Sequence, residues 1–561
     1  VPAPEQREVR RWLSELAAEG RPWIQGTVLA GTLAGVATIV QMVLLAWVVH
    51  RSVVDRVPAN ELTTPLLGLL LTLVLRALFQ GLQSHLAARC SEQVRRTARA
   101  RIHRHWRSAG PIALGQQSAG ALAREWIDHI EALHGYFARF LPQMRLAAII
   151  PLMILALVFW LDWLAGVFLL LSAPLIPLFM ALVGMGAEKL NQQHFETVSR
   201  LSGQFLDKVR GLTTLQLFGQ TEAAARQIAA RSDRYRSLTM KTLRVAFLSS
   251  AVLEFFASVA IAVIAIYIGF GLLGYITYGP APELTLFSGL LILLLAPEFF
   301  QPLRTLSQHY HDRAAALGAG GEILARLSAL PRSSALPAPT PAGPPGDPQR
   351  IECQAVAFTH PGAPEPLFSG LSLSIRRGET LALTGPSGGG KSTLLNLLAG
   401  FVVPDAGQVW VFGQPAGQSP FGWLGQRGFL VHGSWADNLR LTAPEATDVA
   451  IETALRRVGL GDLLDSREAG IHSPVAEDGR GLSGGQARRL SLARIFVADY
   501  DLILLDEPTA GLDADSEIFV LESLHKLSEA GKTLVFSTHH PALLRLADRV
   551  LTVQHGEVRD A

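Results

Sequence analysis

The sequence predicts a two-part membrane protein: six apolar helices, then an α/β domain built on a phosphate-binding loop. Three observations carry that expectation. Before residue 305 the chain holds six apolar segments long enough to cross a bilayer. Between 326 and 349 it turns rich in Pro, Ala, Ser and Gly, the composition of an extended linker that cannot bury a core. After 350, strand-like and helix-like segments alternate around GPSGGGKST, residues 385–393. The implied boundaries are a membrane domain over 1–325, a linker over 326–349 and a nucleotide-binding domain over 350–561.

Composition agrees. Of 561 residues 49% are hydrophobic and 17% charged, against roughly 25% charged in soluble proteins. A net charge of +2 implies no nucleic-acid partner. Cys90 and Cys353 are too far apart for a metal motif and too few for a disulfide framework. Both fall in segments placed on the cytoplasmic side, where thiols stay reduced, and are expected to be structural. No secretory leader is evident, because the first apolar run begins near Ile24 and is too long for one.

In chain order, residues 7–18 (REVRRWLSELAA) predict an amphipathic helix lying along the membrane. The spans fall at about 24–49, 62–83, 141–160, 163–186, 246–276 and 284–303, as three hairpins. Their outside links are short: 51–61, LDW at 161–163, and 275–283. The inside links are long and basic, with RRTARARIHRHWR (95–107) in one and Lys208, Arg210, Arg226, Arg231, Arg234 and Arg236 in the other. The excess of inside positive charge places both termini in the cytoplasm. Trp23, Trp47, Trp160 and Trp163 sit near the expected interfaces, where amphipathic rings belong.

The second half carries the chemistry. Gly385 and Gly390 bracket a loop between the apolar strand LALT and the helix LLNLLAG. Glycines let such a loop curl until successive N–H groups point at phosphate oxygens, at the positive end of a helix. Lys391 can then reach the terminal phosphates, and the Ser392 hydroxyl can ligate Mg²⁺. LSGGQ (482–486) opens a second helix, LILLDEPTAGLD sets Asp506 and Glu507 at the end of a buried strand, and LVFSTHH ends another at His539.

These elements, in this order, resemble the nucleotide-binding domain of ATP-binding cassette (ABC) transporters over residues 350–561. The resemblance implies roles. Gly385, Ser387, Gly388, Gly390, Lys391, Ser392 and Thr393 hold the phosphates of ATP, and Asp506, with Ser392 and Gln426, supports Mg²⁺. Glu507 polarises the attacking water, His539 contacts the γ-phosphate, and Gln426 is the Q-loop glutamine. Ser483 and Gly485 serve the nucleotide on a partner cassette, with Asp513 at the seam. One position departs from the family. Where an aromatic, most often Tyr, stacks on adenine, VAFTHPG places His360, a smaller ring.

Six spans and one cassette resemble an exporter half that works in pairs. Residues 118–137 and 206–224 would be its cytoplasmic docking helices. FLPQMRLAAIIPLMI, APLIPLFMALVGMGA, LRVAFLSSAVLEFF and LAPEFFQPLRTLSQHYHDRAAALGA resemble the CydD-type half of bacterial heterodimeric exporters needed for cytochrome bd assembly. That implies a bacterial inner-membrane location, a homologous partner subunit, and cysteine or glutathione as cargo. The alternative it implies is a haem-binding or haem-transporting complex, or a haem-regulated ATPase without net transport.

The residues add intramembrane charge: Arg76, Glu254 and Glu298. Along one helix, Glu298, Gln301, Arg304, Gln308 and His311 span roughly 140° at 100° per residue. That stripe suits a carboxylate-bearing cargo, and His309, Tyr310 and His311 could ligate haem iron; a solvated helix face is the other reading. A soluble ABC ATPase is excluded by the hydropathy.

Overall fold

The computed structural model describes residues 6–58, 60–115, 119–174, 205, 208–209, 211–329, 346–426, 428–476 and 481–561. The chain divides into two compact units, residues 1–105 with 118–329 and residues 106–117 with 330–561.

The first unit is helical. α1 (Gln6–Glu19) is amphipathic as expected, but its apolar face is buried in protein. Val9, Trp12, Leu13 and Leu16 pack on α9 (Tyr310–Ala329), where a Cβ on Gly320 would come within 3.0 Å of Val9. Arg101 pairs with Glu19 at 3.4 Å and ties α1 to α3. The expectation of a helix lying on lipid is thereby corrected: the apolar stripe finds a partner within the chain.

α2 (Arg21–Val53) and α3 (Thr63–Gly115) follow, α3 running far past the expected span until Gly110 (φ 75°) and Pro111 break it. Its span presents Leu66, Leu67, Leu70, Leu71 and Leu78 outward. α4 (Gly120–Leu161) opens with two π-turns, Glu125–His129 and Tyr136–Phe140. Residues 119–137 are therefore not a separate transverse helix. They form the head of α4 and bury Ile130, Leu133 and Phe137 beside α9.

α5 (Trp163–Ser172) is described only as far as Pro174, so the rest of the fourth expected span lies outside the described residues, as does most of APLIPLFMALVGMGA. Asp162 makes the α4–α5 corner. One carboxylate oxygen accepts the Ala165 N–H and the other the Tyr267 hydroxyl, each at 2.9 Å, with Asp162 buried. α6 (Leu212–Leu217) is short and buries no residue, with Gly219 (φ 63°) turning the chain into α7 (Thr221–Leu272). Part of the second docking segment, 206–207 and 210, is outside the described residues.

α8 (Leu286–Gln308) starts at a capping box between Thr285 and Ser288 and carries Pro297 and Pro302. Its apolar face, Leu291, Ile292, Leu295, Phe299 and Phe300, centres the core with Ile154, Val158 and Ile264. Among the described residues five helices are long and apolar enough to cross a membrane.

The second unit holds two large sheets and a small two-stranded one, β7 (Gly433–Ser434) with β8 (Pro474–Val475). β1 (Arg350–Phe358), β2 (Phe368–Arg376), β4 (Ala406–Val411) and β5 (Gln414–Pro415) form an antiparallel sheet in the order β2-β1-β4-β5. β3 (Thr380–Thr384), β6 (Gly422–Leu424), β9 (Leu502–Asp506), β10 (Thr533–Ser537), β11 (Arg549–Gln554) and β12 (Glu557–Asp560) form the second, ordered β12-β11-β3-β10-β9-β6. It is parallel except for β12. β9 and β10 are buried at every residue, as near-continuous apolar runs require when both faces of a parallel sheet are covered. Cys353 in β1 is buried, and burial pushes its thiol up to about 12, which suits a structural role.

Candidate functional site

Parallel strands bring their C-terminal ends to one edge, and the loops that follow share that edge. Ser537, the last residue of β10, pairs in register with both Asp506 of β9 and Leu383 of β3. The phosphate loop after β3, the acidic pair after β9 and His539 after β10 therefore converge, although more than 150 residues separate the first from the last.

The loop backbone is built for close approach. Gly385, Gly388 and Gly390 have φ of 128°, 80° and 114°, where a side chain is strained. A Cβ on Gly385 would sit 2.2 Å from the Val553 carbonyl oxygen. Lys391, at the start of α10 (Lys391–Leu398), is buried and folds back, donating to the Gly385 carbonyl at 2.7 Å and the Pro386 carbonyl at 3.0 Å. Ser387 stays exposed on the loop, and Ser392 and Thr393 continue it into the helix. His360 Nε2 lies 3.1 Å from the Thr393 hydroxyl, and its ring meets Phe358 edge-on. The ring expected to stack on a base is thus tied to the loop's own helix.

The acidic pair is fixed by the Ser537 hydroxyl. Ser537 Oγ donates to Asp506 Oδ1 at 2.6 Å, and the Glu507 N–H reaches Ser537 Oγ at 2.9 Å. Glu507 has φ 51°, an uncommon conformation for a non-glycine residue and one that concentrates at functional sites. His539 Nε2 lies 3.9 Å from its carboxylate. Asp506, buried with one oxygen committed to Ser537, and the Ser392 hydroxyl are hard oxygen donors that fit Mg²⁺ shared with phosphates.

Sequence reasoning missed the residue that holds this corner together. Arg488 lies on α13 (Gly484–Ala498), the helix opened by LSGGQ. Its guanidinium donates to the carbonyls of Gln426 (3.1 Å), Ala510 (3.3 Å), Asp506 (3.1 Å) and Glu507. Burial lowers its pKa, and Glu507 and Asp506 pull it back up. The available signal was an arginine two residues after LSGGQ, facing a strand that ends in two acids. Gln426 contributes its carbonyl to this knot and exposes its side chain.

Ser483 caps α13 in a reciprocal box with Gln486, and Gly485 is pressed against Ser516. Asp513 caps α14 (Ala514–Glu529) through the Ser516 N–H at 2.7 Å, and the Ser516 hydrogen bonds hold its carboxyl below the usual range. In this chain all three have local structural partners.

In the membrane unit the expected stripe separates into three places. A single turn residue, His309, interrupts the helix after Gln308, so Tyr310 and His311 lie beyond the interruption at the start of α9. Arg304 pairs with Glu254 at 3.2 Å. His309 and His311 lie 3.4 Å and 3.2 Å from the carboxylate of buried Asp312, which also accepts from Arg139 at 2.9 Å. The Tyr310 hydroxyl accepts from Arg313. Asp312 was overlooked, although an acid directly after two histidines was visible in HYHDR. Arg76, Glu298 and Gln301 line a separate cavity.

Residues 24–295 match the ABC transporter transmembrane region, and residues 368–510 the ABC transporter domain. The glutathione/L-cysteine transport system ATP-binding/permease protein CydD of Haemophilus influenzae is 37% identical, over 99% of this chain and 94% of its own. The protein of the same name from Escherichia coli is 36% identical over 99% and 95%. The corresponding CydC of Bacillus subtilis is 31% identical over 80% and 78%. A solved bacterial Atm1-family ABC exporter with ATP bound shares the fold, with a TM-score of 0.79 over 96% of this chain and 94% of that one at 18% identity.

Fold and site together define an ABC half-transporter, a multi-pass membrane protein whose cassette uses ATP with Mg²⁺ and couples its hydrolysis to transport. Within that class, the chain belongs to the CydD-type transport ATP-binding/permease family.

Proposed function

We propose that this chain is one half of an exporter that moves L-cysteine and glutathione out of the cytoplasm across the bacterial inner membrane, in support of cytochrome bd assembly. The observation that carries the reading is near full-length similarity to two CydD proteins named for glutathione/L-cysteine transport. The partner is a homologous half of the CydC kind, and the basic inside links support a cytoplasmic location for both termini. The domains run over 1–325, 326–349 and 350–561.

In this reading Lys391 leaves the loop carbonyls for the β- and γ-phosphates, and the amides of Gly388 and Gly390 line the same cradle. Ser392 and Asp506, with Gln426, would hold Mg²⁺, which would supply charge neutralisation on the transferred phosphoryl group. Glu507 orients water, His539 contacts the γ-phosphate, and Ser483, Gly485 and Asp513 meet the partner's nucleotide. Positioning and electrostatics are what phosphoryl transfer needs, and these residues provide them.

Haem as ligand or cargo is a second reading, carried by His309, Tyr310 and His311. In this structure His309 Nδ1 and His311 Nε2 face Asp312, so iron bound at either of those nitrogens would have to displace that carboxylate. The test is ATP-dependent uptake of radiolabelled L-cysteine and glutathione into inverted membrane vesicles carrying the full complex. Uptake of both is expected. No uptake, with haem alone stimulating ATP hydrolysis, would overturn the export reading in favour of haem.

A further inference from the structure

A cavity of about 260 Å³ lies inside the membrane unit, between α2, α3, α4 and α8. Arg76, Gln80 and Gln83 face it from α3, Gln143 from α4, and Glu298 and Gln301 from α8. Six amide or charged side chains, two of them ionisable, gather between predominantly apolar helices. Such groups are costly inside a bilayer and mark pathways or ligand sites. Arg304 and Glu254 satisfy each other, whereas among the described residues neither Arg76 nor Glu298 has a side-chain partner.

The cavity wall supplies a further acceptor. Pro302 has no N–H to give the Glu298 carbonyl one turn before it, so that oxygen loses its helical donor beside the Glu298 carboxylate. Gln143 Nε2 donates to the Pro302 carbonyl at 2.9 Å, tying α4 to α8 at the cavity wall. Across the space α2 is thinned: a Cβ on Gly31 would lie 2.6 Å from Leu146, and one on Gly35 3.0 Å from Ile150. The volume is below the roughly 300–1,000 Å³ of sites for drug-sized ligands. It suits an amino acid or a short peptide better than a flat macrocycle.

We infer that this cavity clamps the α-amino-acid end of the cargo, the ammonium on Glu298 and the carboxylate on Arg76. The inference rests on the transport reading above and gives it a chemical basis. L-Cysteine and glutathione differ in size and charge, yet each carries a free α-ammonium and α-carboxylate on one carbon. A site that reads that end accepts both. The guanidinium fork matches a carboxylate in two bonds, and the amides of Gln80, Gln83 and Gln301 remain for peptide groups. A zwitterion also leaves the loaded cavity without net charge, which lowers the cost of burying it.

The experiment uses the full complex in inverted vesicles and ATP-dependent uptake of radiolabelled L-cysteine. Competitors are unlabelled L-cysteine, cysteamine (no carboxylate) and 3-mercaptopropionate (no ammonium). In the wild type each analogue should compete more weakly than L-cysteine by roughly tenfold or more, the loss of one charge-assisted bond. Glu298→Gln should erase the handicap of 3-mercaptopropionate and keep that of cysteamine, and Arg76→Gln should do the reverse. Glu298→Asp and Arg76→Lys should keep the wild-type order. Ratios within one preparation are independent of how much protein folds. Where uptake is too small to measure, the same ratios are taken from cargo-stimulated ATP hydrolysis by the purified complex. Wild-type competition ratios in both Gln variants, or a wild type blind to the missing groups, would overturn the clamp alone. Absence of any L-cysteine uptake or stimulation in the wild type would instead overturn the transport reading.

Discussion

Arg304 on α8 and Glu254 on α7 face each other with Nη1 and Oε2 3.2 Å apart. The contact takes both residues out of the set of unsatisfied charges that the sequence offers to a cargo. It also makes a specific link between two membrane helices. Removing either partner leaves the other unpaired. Arg304→Gln and Glu254→Gln should each lower the melting temperature of the purified complex, and the double variant should lose less than their sum. The coupling should fall at the low end of roughly 0.5–3 kcal/mol, because Glu254 is more than half exposed. Strict additivity would show that the pair carries no energy.

Glu507 is held in a left-handed conformation by Ser537, with His539 alongside. An amide of the same shape keeps that geometry but is a far weaker base. Glu507→Gln should therefore bind ATP normally and hydrolyse it on the order of 10²–10⁴-fold more slowly. The measurement needs the partner's catalytic acid disabled as well, so that only this site reports. Near-normal turnover would remove Glu507 from the reaction.

Arg488 spans four carbonyls in the loops that follow β6 and β9. Lysine keeps the charge but is a point donor that cannot fork across them. Arg488→Lys should destabilise the complex by roughly 1–3 kcal/mol through unsatisfied buried acceptors, measured by thermal unfolding. ATP hydrolysis should fall further than the loss of folded protein explains, since the Asp506–Glu507 backbone loosens. Unchanged stability would mean that solvent replaces the guanidinium freely.

What was legible in the sequence depended on whether the chemistry was contiguous. GPSGGGKST, LSGGQ and LLDE each sit within one loop and its flanking elements, so their residue types already state strand, turn and helix. The spans were legible because hydropathy is local. Arg488, Asp312 and the Arg76–Glu298 cavity were not, because each depends on which distant helix or strand faces it. The stripe along residues 298–311 is divided by its partners: Glu298 and Gln301 line the cavity, Arg304 pairs with Glu254, and His311 faces Asp312 beyond the turn at His309. α1 was expected on lipid because amphipathicity alone does not say what covers the apolar face; Gly320 on α9 does.

The phosphate loop offers a paired test of backbone against space. Gly385 and Gly388 both have positive φ, 128° and 80°. A Cβ on Gly385 would be driven to 2.2 Å from the carbonyl oxygen of Val553 in β11, whereas one on Gly388 would meet nothing within 4 Å. Gly388→Ala therefore carries only backbone strain, of order 1–2 kcal/mol for a left-handed alanine. Gly385→Ala carries that strain and a backbone clash that no rotamer relieves, so β3 and β11 must part at their ends. Gly385→Ala should abolish ATP binding and lower the melting temperature well beyond Gly388→Ala, which should weaken ATP binding while leaving the fold intact. The check is nucleotide binding and thermal unfolding of both variants in the full complex. Equal effects from the two substitutions would mean that the close packing of the loop on β11 is not what sets its shape.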